Sequence, residues 1–186
     1  MGIGYIFDFD GVLVNTMPLH FAAYSQALEE IGVPLDRDQF YRQAGMTGRE
    51  QITFFCRKAG VDADVEAVYR RKTSIAKDHF ELVEPIPCNI EFFRVLKDAG
   101  FPVAIASGSS KPSILPVVKR YDIPAEIIIS CEDVEKGKPH PDLFLEAAKQ
   151  MNLPPDNCVV VEDSDVGVEA ARAGGMHCFR YFKAAV

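Results

Sequence analysis

Apolar and polar positions along this chain follow two rhythms. Short, nearly unbroken apolar runs occur at Ile3 with Tyr5-Ile6-Phe7, at Val103-Ala104-Ile105-Ala106, at Ile127-Ile128-Ile129 and at Val159-Val160-Val161. A weaker fifth run is His177-Cys178-Phe179-Arg180-Tyr181. An apolar run without polar alternation predicts a strand buried on both faces, as in a parallel sheet. Each of the first four stops at polar residues: Asp8 and Asp10, Ser107-Gly108-Ser109, Ser130, and Glu162-Asp163. Between the runs, apolar positions recur at helical spacing over 90–100, 110–121, 142–151 and 164–174. Strands alternating with helices predict right-handed βαβ units around a parallel sheet.

The stretch from Asn15 to about Leu82 breaks the alternation. It has no comparable Val/Ile run and predicts helices over 19–31, 38–44, 49–59 and 65–80, punctuated by Gly32-Val33-Pro34 and Gly60-Val61-Asp62. The fold class expected is therefore α/β: a Rossmann-like parallel sheet core, 1–14 with 83–186, and a helical domain, 15–82, inserted after the first strand. The chain ends soon after the fifth run, at Val186, so the closing elements are expected to be short.

Composition narrows the function. The 186 residues carry 20 Lys and Arg against 27 Asp and Glu, a net charge of −7. An acidic protein lacks the basic footprint that nucleic acid or an anionic membrane requires. No apolar run approaches the roughly 20 residues that span a bilayer. The N-terminal residues 1–10 hold two aspartates and no basic residue, unlike a signal peptide, and Ile6 stands where myristoylation needs Ser or Thr. The five cysteines, Cys56, Cys88, Cys131, Cys158 and Cys178, are scattered and form no Cys-x-x-Cys pair. They read as reduced thiols of a cytoplasmic protein, most of them buried.

In open parallel sheets, ligands bind at the carboxyl ends of the strands. The residues there are Asp8, Asp10, Ser107, Glu162 and Asp163, with Lys138 in a loop after the third run. Asp8 and Asp10 are two apart, so in extended backbone they point to one side. Asp before Gly is also common where a strand merely ends, and on spacing alone the two readings balance. An EF-hand is excluded, because Leu13 and Leu19 occupy its invariant Gly and bidentate Glu positions. The pair Glu162-Asp163, before a helix that Ser164 can cap, adds weight to a site, although acids also favour a helix N-terminus for its own sake. Asp8, Asp10 and Asp163 together would be an oxygen-rich, hard-cation site suited to Mg²⁺ with retained waters. Lys138, between Gly137 and Pro139, reads either as a rigidly held charge or as a solvated lysine. Ser107-Gly108-Ser109-Ser110 can offer hydroxyl and N–H groups to an anion, a weak signal alone. The P-loop, the dinucleotide fingerprint, His-Glu-x-x-His and Gly-x-Ser-x-Gly are absent.

With these residues in place, the chain resembles the haloacid dehalogenase-like superfamily, in the branch with a helical cap after the first strand that holds β-phosphoglucomutase and many small-molecule phosphatases. The resemblance covers essentially the whole chain. It is carried by Asp8-Phe9-Asp10-Gly11-Val12-Leu13-Val14-Asn15-Thr16, by Ser107 in Ile105-Ala106-Ser107-Gly108, by Gly137-Lys138-Pro139, and by Glu162-Asp163-Ser164-Asp165-Val166-Gly167. It implies that Asp8 is a nucleophile forming an aspartyl-phosphate and that Asp10 is the general acid and base. It implies Mg²⁺ on Asp8, Asp163 and the Asp10 carbonyl, with Glu162 assisting. It implies phosphate binding by Ser107, Gly108, Lys138 and the backbone near Phe9. Asn15 departs from the pattern, since many relatives carry Asp there.

Dehalogenases of the superfamily lack an acid where Asp10 stands, so the resemblance favours phosphoryl chemistry. A phosphonatase would use a Schiff-base lysine in the helical domain, and the sequence shows no sign of one beyond the presence of Lys72. His20, Arg49 and Lys72 resemble sugar-phosphate contacts of β-phosphoglucomutase, yet they also read as packed or solvated helix residues. The expectation is a monomeric, Mg²⁺-dependent phosphatase of a small phosphorylated metabolite, with a mutase as the alternative and a non-catalytic phosphometabolite-binding module behind it.

Overall fold

The computed structural model describes residues 2–42 and 48–182. The fold is α/β. Strands β1 (Gly4–Phe7), β2 (Val103–Ala106), β3 (Ile127–Ile129), β4 (Cys158–Glu162) and β5 (His177–Arg180) form one sheet in the order β3-β2-β1-β4-β5. Every pairing in it is parallel. Strand β1 lies in the middle, with Phe7 in register with Ile105 on one side and Val161 on the other. Both faces of the inner strands are covered, which is why the sequence shows unbroken apolar runs. On one face Ile6, Ala104, Ala106, Ile129 and Val160 pack with Leu143, Phe144, Ala147, Ala170 and Ala171. On the other, the Phe7 and Phe93 rings meet at 5.2 Å.

The chain divides into two compact units. One comprises Met1–Asn15 and Pro85–Val186, and the other Thr16–Glu84. The first contains the sheet and helices that serve as its crossovers. The second holds α1 (Met17–Glu29), α2 (Arg37–Arg42), α3 (Gly48–Ala59) and α4 (Val65–Lys77) around Ala23, Tyr24, Leu28, Phe40, Ile52, Phe55 and Val68. In the sheet unit the helices are α5 (Pro87–Asp98), α6 (Lys111–Arg120), α7 (Asp142–Gln150) and α8 (Asp165–Ala173).

Several boundaries differ from the sequence reading, each for a local reason. Helices α1 and α5 begin two or three residues early, because Pro18 and Pro87 sit in the first turn, where a missing N–H costs nothing. Helix α4 stops at Lys77, and a 3₁₀ turn, Phe80–Leu82, follows. The last two residues of the helix expected over 38–44 lie outside the described residues, as does Val186. The cysteines are all unpaired, but only Cys56 and Cys158 are buried, Cys178 is half-buried, and Cys88 and Cys131 are exposed. That corrects the expectation that most are buried. No helix among the described residues is long and apolar enough to cross a membrane.

Candidate active site

The sheet order reverses direction at β1, whose neighbours β2 and β4 belong to opposite halves of the sheet. Asp8 leaves β1 here with its N–H still donating to the Val161 carbonyl at 2.9 Å. Its side chain is buried. Glu162 ends β4 on the adjacent strand and is also buried. Lys138 joins them across the rim. Its Nζ donates to Asp8 Oδ1 at 2.6 Å and to Glu162 Oε2 at 2.6 Å. Three residues far apart in the chain thus share one largely buried ionic network.

Helix α8 completes it. The N–H groups of Asp163 and Ser164 donate to Glu162 Oε1 at 3.2 and 2.9 Å, and the Ser164 hydroxyl donates to the same oxygen at 2.7 Å. Ser164 also caps α8 by accepting from the Gly167 N–H. Glycine is required at 167, because a Cβ there would lie 2.0 Å from Glu162 Cδ. It is required at 11 as well, where φ is +88° and a Cβ would lie 2.1 Å from Asp163 Oδ2.

Asp10 occupies a different environment. Its Oδ2 accepts from Ser107 Oγ at 3.1 Å and from Ser109 Oγ at 2.7 Å. Ser107 is fully buried, and its Oγ accepts from the Ser109 N–H at 3.0 Å. Gly108 is exposed between them, with open space where a Cβ would stand. The Phe9 ring is buried, and its carbonyl accepts from the N–H groups of Leu13 and Val14, closing the turn after Asp10.

The electrostatics follow from this packing. Burial pushes the Asp8 carboxyl well above the usual range, with Glu162 and Asp10 adding to the effect and Lys138 opposing it. Burial, together with Glu162, raises Asp163 to about 6. Burial would raise Glu162 too, but Lys138 and Ser164 outweigh it and hold that group below its ordinary value. Burial works against the Lys138 ammonium, yet Asp8 and Glu162 overcome it and keep the charge. One cation therefore faces three acids.

That imbalance bears on metal binding. Carboxylate oxygens of Asp8, Glu162 and Asp163 lie within 4.8 Å of one another. Hard oxygen donors with surplus negative charge fit Mg²⁺. Both oxygens of Glu162 already accept, Oε2 from Lys138 and Oε1 from Ser164, whereas Lys138 takes Oδ1 of Asp8, so Asp8 and Asp163 are the donors that would hold the ion. The Asp10 side chain is turned to the two serines.

The three candidates in the helical unit fall into two groups. Lys72 is buried, with its Nζ 3.4 Å from His20 Nδ1 and 4.6 Å from the Tyr24 ring centre. Arg49 instead pairs with Glu66 and lies 4.3 Å from the Tyr69 ring centre. The structure brings His20 and Lys72 together and directs Arg49 to other partners.

Sequence reading passed over some of these residues. Ser109 was visible in the Ser-Gly-Ser-Ser turn, but nothing local ties it to Asp10. Ser164 was legible as a helix cap, though not as a donor to Glu162. Gly11 and Gly167 are explained only by the carboxylates packed against them.

Comparison with known proteins fits this geometry. A family model described as haloacid dehalogenase-like hydrolase matches residues 5–181. The chain belongs to the haloacid dehalogenase-like hydrolases. Hexitol phosphatase A of Escherichia coli is 32% identical to this haloacid dehalogenase-like chain over 179 residues, covering 94% of this chain and 80% of the relative. The β-phosphoglucomutase of Bacillus subtilis is 30% identical over 183 residues, covering 92% and 79%. Among solved structures, CbbY from Rhodobacter sphaeroides in complex with phosphate aligns with a TM-score of 0.81 at 26% identity, over 96% of this chain and 85% of that one.

Proposed function

We propose that this haloacid dehalogenase-like phosphatase hydrolyses small phosphate monoesters, sugar phosphates among them, with Mg²⁺ and through an aspartyl-phosphate. The observation that carries the reading is the separation of two carboxylates two residues apart. Asp8 is locked to Lys138, whereas Asp10 rests on two hydroxyls. Titratable groups placed in contrasting environments take contrasting roles.

Asp8 attacks phosphorus through a carboxylate oxygen, the P–O bond to the alcohol breaks, and the departing oxygen takes the Asp10 proton. Asp10, now ionised, removes a proton from water, which attacks the phosphorus and frees Asp8 and phosphate. Lys138 holds Asp8 in place and presents fixed positive charge to the phosphoryl group. Ser107, Gly108 and the backbone near Phe9 are assigned to its oxygens. Bound Mg²⁺ supplies charge neutralisation between carboxylate and phosphate. Positioning and neutralisation carry most of the acceleration in such a transfer.

The sheet unit is the catalytic core in this reading, and the helical unit selects the metabolite through His20, Lys72 and Arg49. Five unpaired thiols fit a reducing compartment, so we place the enzyme in the cytoplasm. A mutase remains the second reading, because the Bacillus subtilis relative is one and the His20–Lys72 pair suits a sugar phosphate.

The test is phosphate release from p-nitrophenyl phosphate and a panel of sugar phosphates, with Mg²⁺ and with chelator. Turnover should need the metal. Asp8→Asn should abolish it, and Asp10→Asn should lower it by about 10²–10⁴-fold on sugar phosphates. Wild-type rates in either variant would end the mechanism. Interconversion of hexose 1- and 6-phosphates without phosphate release would favour the mutase.

A further inference from the structure

The turn after Asp10 is held from outside by a residue that no motif contains. Within the turn, the N–H groups of Leu13 and Val14 donate to the Phe9 carbonyl at 3.1 Å, and the Gly11 N–H donates to the Val14 carbonyl at 2.7 Å. The Val12 carbonyl takes no part in those bonds. It accepts at 2.7 Å from the side-chain amide of Asn89, a residue 77 positions away in the first turn of α5. A second clamp lies beside it, where the Ile86 N–H donates to the Leu13 carbonyl at 2.9 Å.

The setting is unusual for an asparagine. Asn89 is 8% exposed and Val12 is fully buried. The same face of α5 otherwise buries Ile90, Phe93 and Leu96. An apolar residue would be the ordinary occupant, since a buried amide without a partner is unfavourable. Its bond reaches the backbone two residues beyond Asp10. With the bond lost, little water can replace it, and the turn is free to relax around an unsatisfied carbonyl.

We propose that Asn89 is a positioning residue for Asp10, acting through the Val12 carbonyl. The inference rests on the reading of Asp10 as general acid. A proton donor must be within hydrogen-bond reach of the leaving oxygen, and a displacement of about 1 Å can cost on the order of 100-fold in rate.

A leaving-group comparison separates this role from a purely structural one. As the Asp8 O–P bond forms and the ester P–O bond breaks, an alkoxide needs the Asp10 proton, whereas p-nitrophenolate leaves without it. The constant kcat/KM reports steps up to this first transfer. Asn89→Leu should lower kcat/KM on a sugar phosphate by about 10-fold and on p-nitrophenyl phosphate by no more than about 2-fold. Asn89→Asp, which keeps the size and removes the amide donors, should show the same split. Asp10→Asn is the control and should split the two substrates more strongly. Equal losses on both substrates, or none, with the control still split, would overturn the role of Asn89 alone. Failure of both Asn89 variants to fold would overturn it too, by making the residue structural. If the control shows no split, Asp10 is not the acid, and the proposed mechanism falls before this inference does.

Discussion

The rim of the sheet unit and the outer surface of the helical unit place their charges by opposite means. At the sheet rim, buried Asp8 and Glu162 meet the largely covered Lys138 across 130 and 24 residues of chain. In the helical unit, Arg49 with Glu66 and Arg71 with Glu30 pair on exposed surface, each of these side chains being more than 40% accessible. Water competes for the exposed pairs, and salt screens them. Buried charges have no such alternative, so removing one member leaves the others without compensation. Rigid charge is therefore concentrated at the sheet rim, where the proposed chemistry needs fixed geometry, whereas the two pairs on the helical surface are replaceable.

The largest expected effect comes from Lys138→Met. It leaves Asp8 and Glu162 facing each other, and metal-free protein should lose about 3–5 kcal/mol in urea denaturation along with all turnover. A loss no greater than that of a surface lysine would show that the rim is not a rigid network.

Gly167→Ala sets two principles against each other. Alanine is the better helix former inside α8, which predicts a gain of up to about 1 kcal/mol. The added Cβ would lie 2.0 Å from Glu162 Cδ and displace the carboxylate that holds Lys138. Packing should win, with about 1–3 kcal/mol of destabilisation and reduced turnover. A more stable, fully active variant would mean that Glu162 can move freely.

The smallest effect belongs to Glu30→Gln. The Arg71 guanidinium holds the Glu30 carboxyl below its ordinary value. A lowered acid contributes stability above its unfolded value and loses that contribution as pH falls through the folded one. Because the pair is exposed, thermal unfolding at neutral pH and moderate salt should be indistinguishable from wild type. A clear loss would blur the contrast between the two units.

Legibility followed the range of the interactions. The runs at Tyr5-Ile6-Phe7 and Val103–Ala106 identified inner strands because both faces are covered. Pro18 and Pro87 moved helix starts because a proline, a breaker inside a helix, is accommodated in the first turn. The acids at the rim were visible as strand ends, and their motifs as a family pattern. The bond from Ser109 to Asp10 spans 99 residues, and no local pattern announces it. Asn89 is still less visible, since one asparagine among apolar helix positions reads as noise until its partner is known.

By itself, the sequence determined the α/β class, the helical stretch between the first two strands of the sheet, the family and the acids at the strand ends. The class, the helical stretch and the strand-end acids follow from periodicity within a few residues of chain, where hydrophobic burial and backbone preference act, and the family from the resemblance that the motifs carry. Tertiary structure alone decided that one lysine bridges two acids, that two serines hold Asp10, and that Gly11 and Gly167 leave room for carboxylates. Those contacts join residues up to 130 positions apart, and their distances are set by how the layers pack.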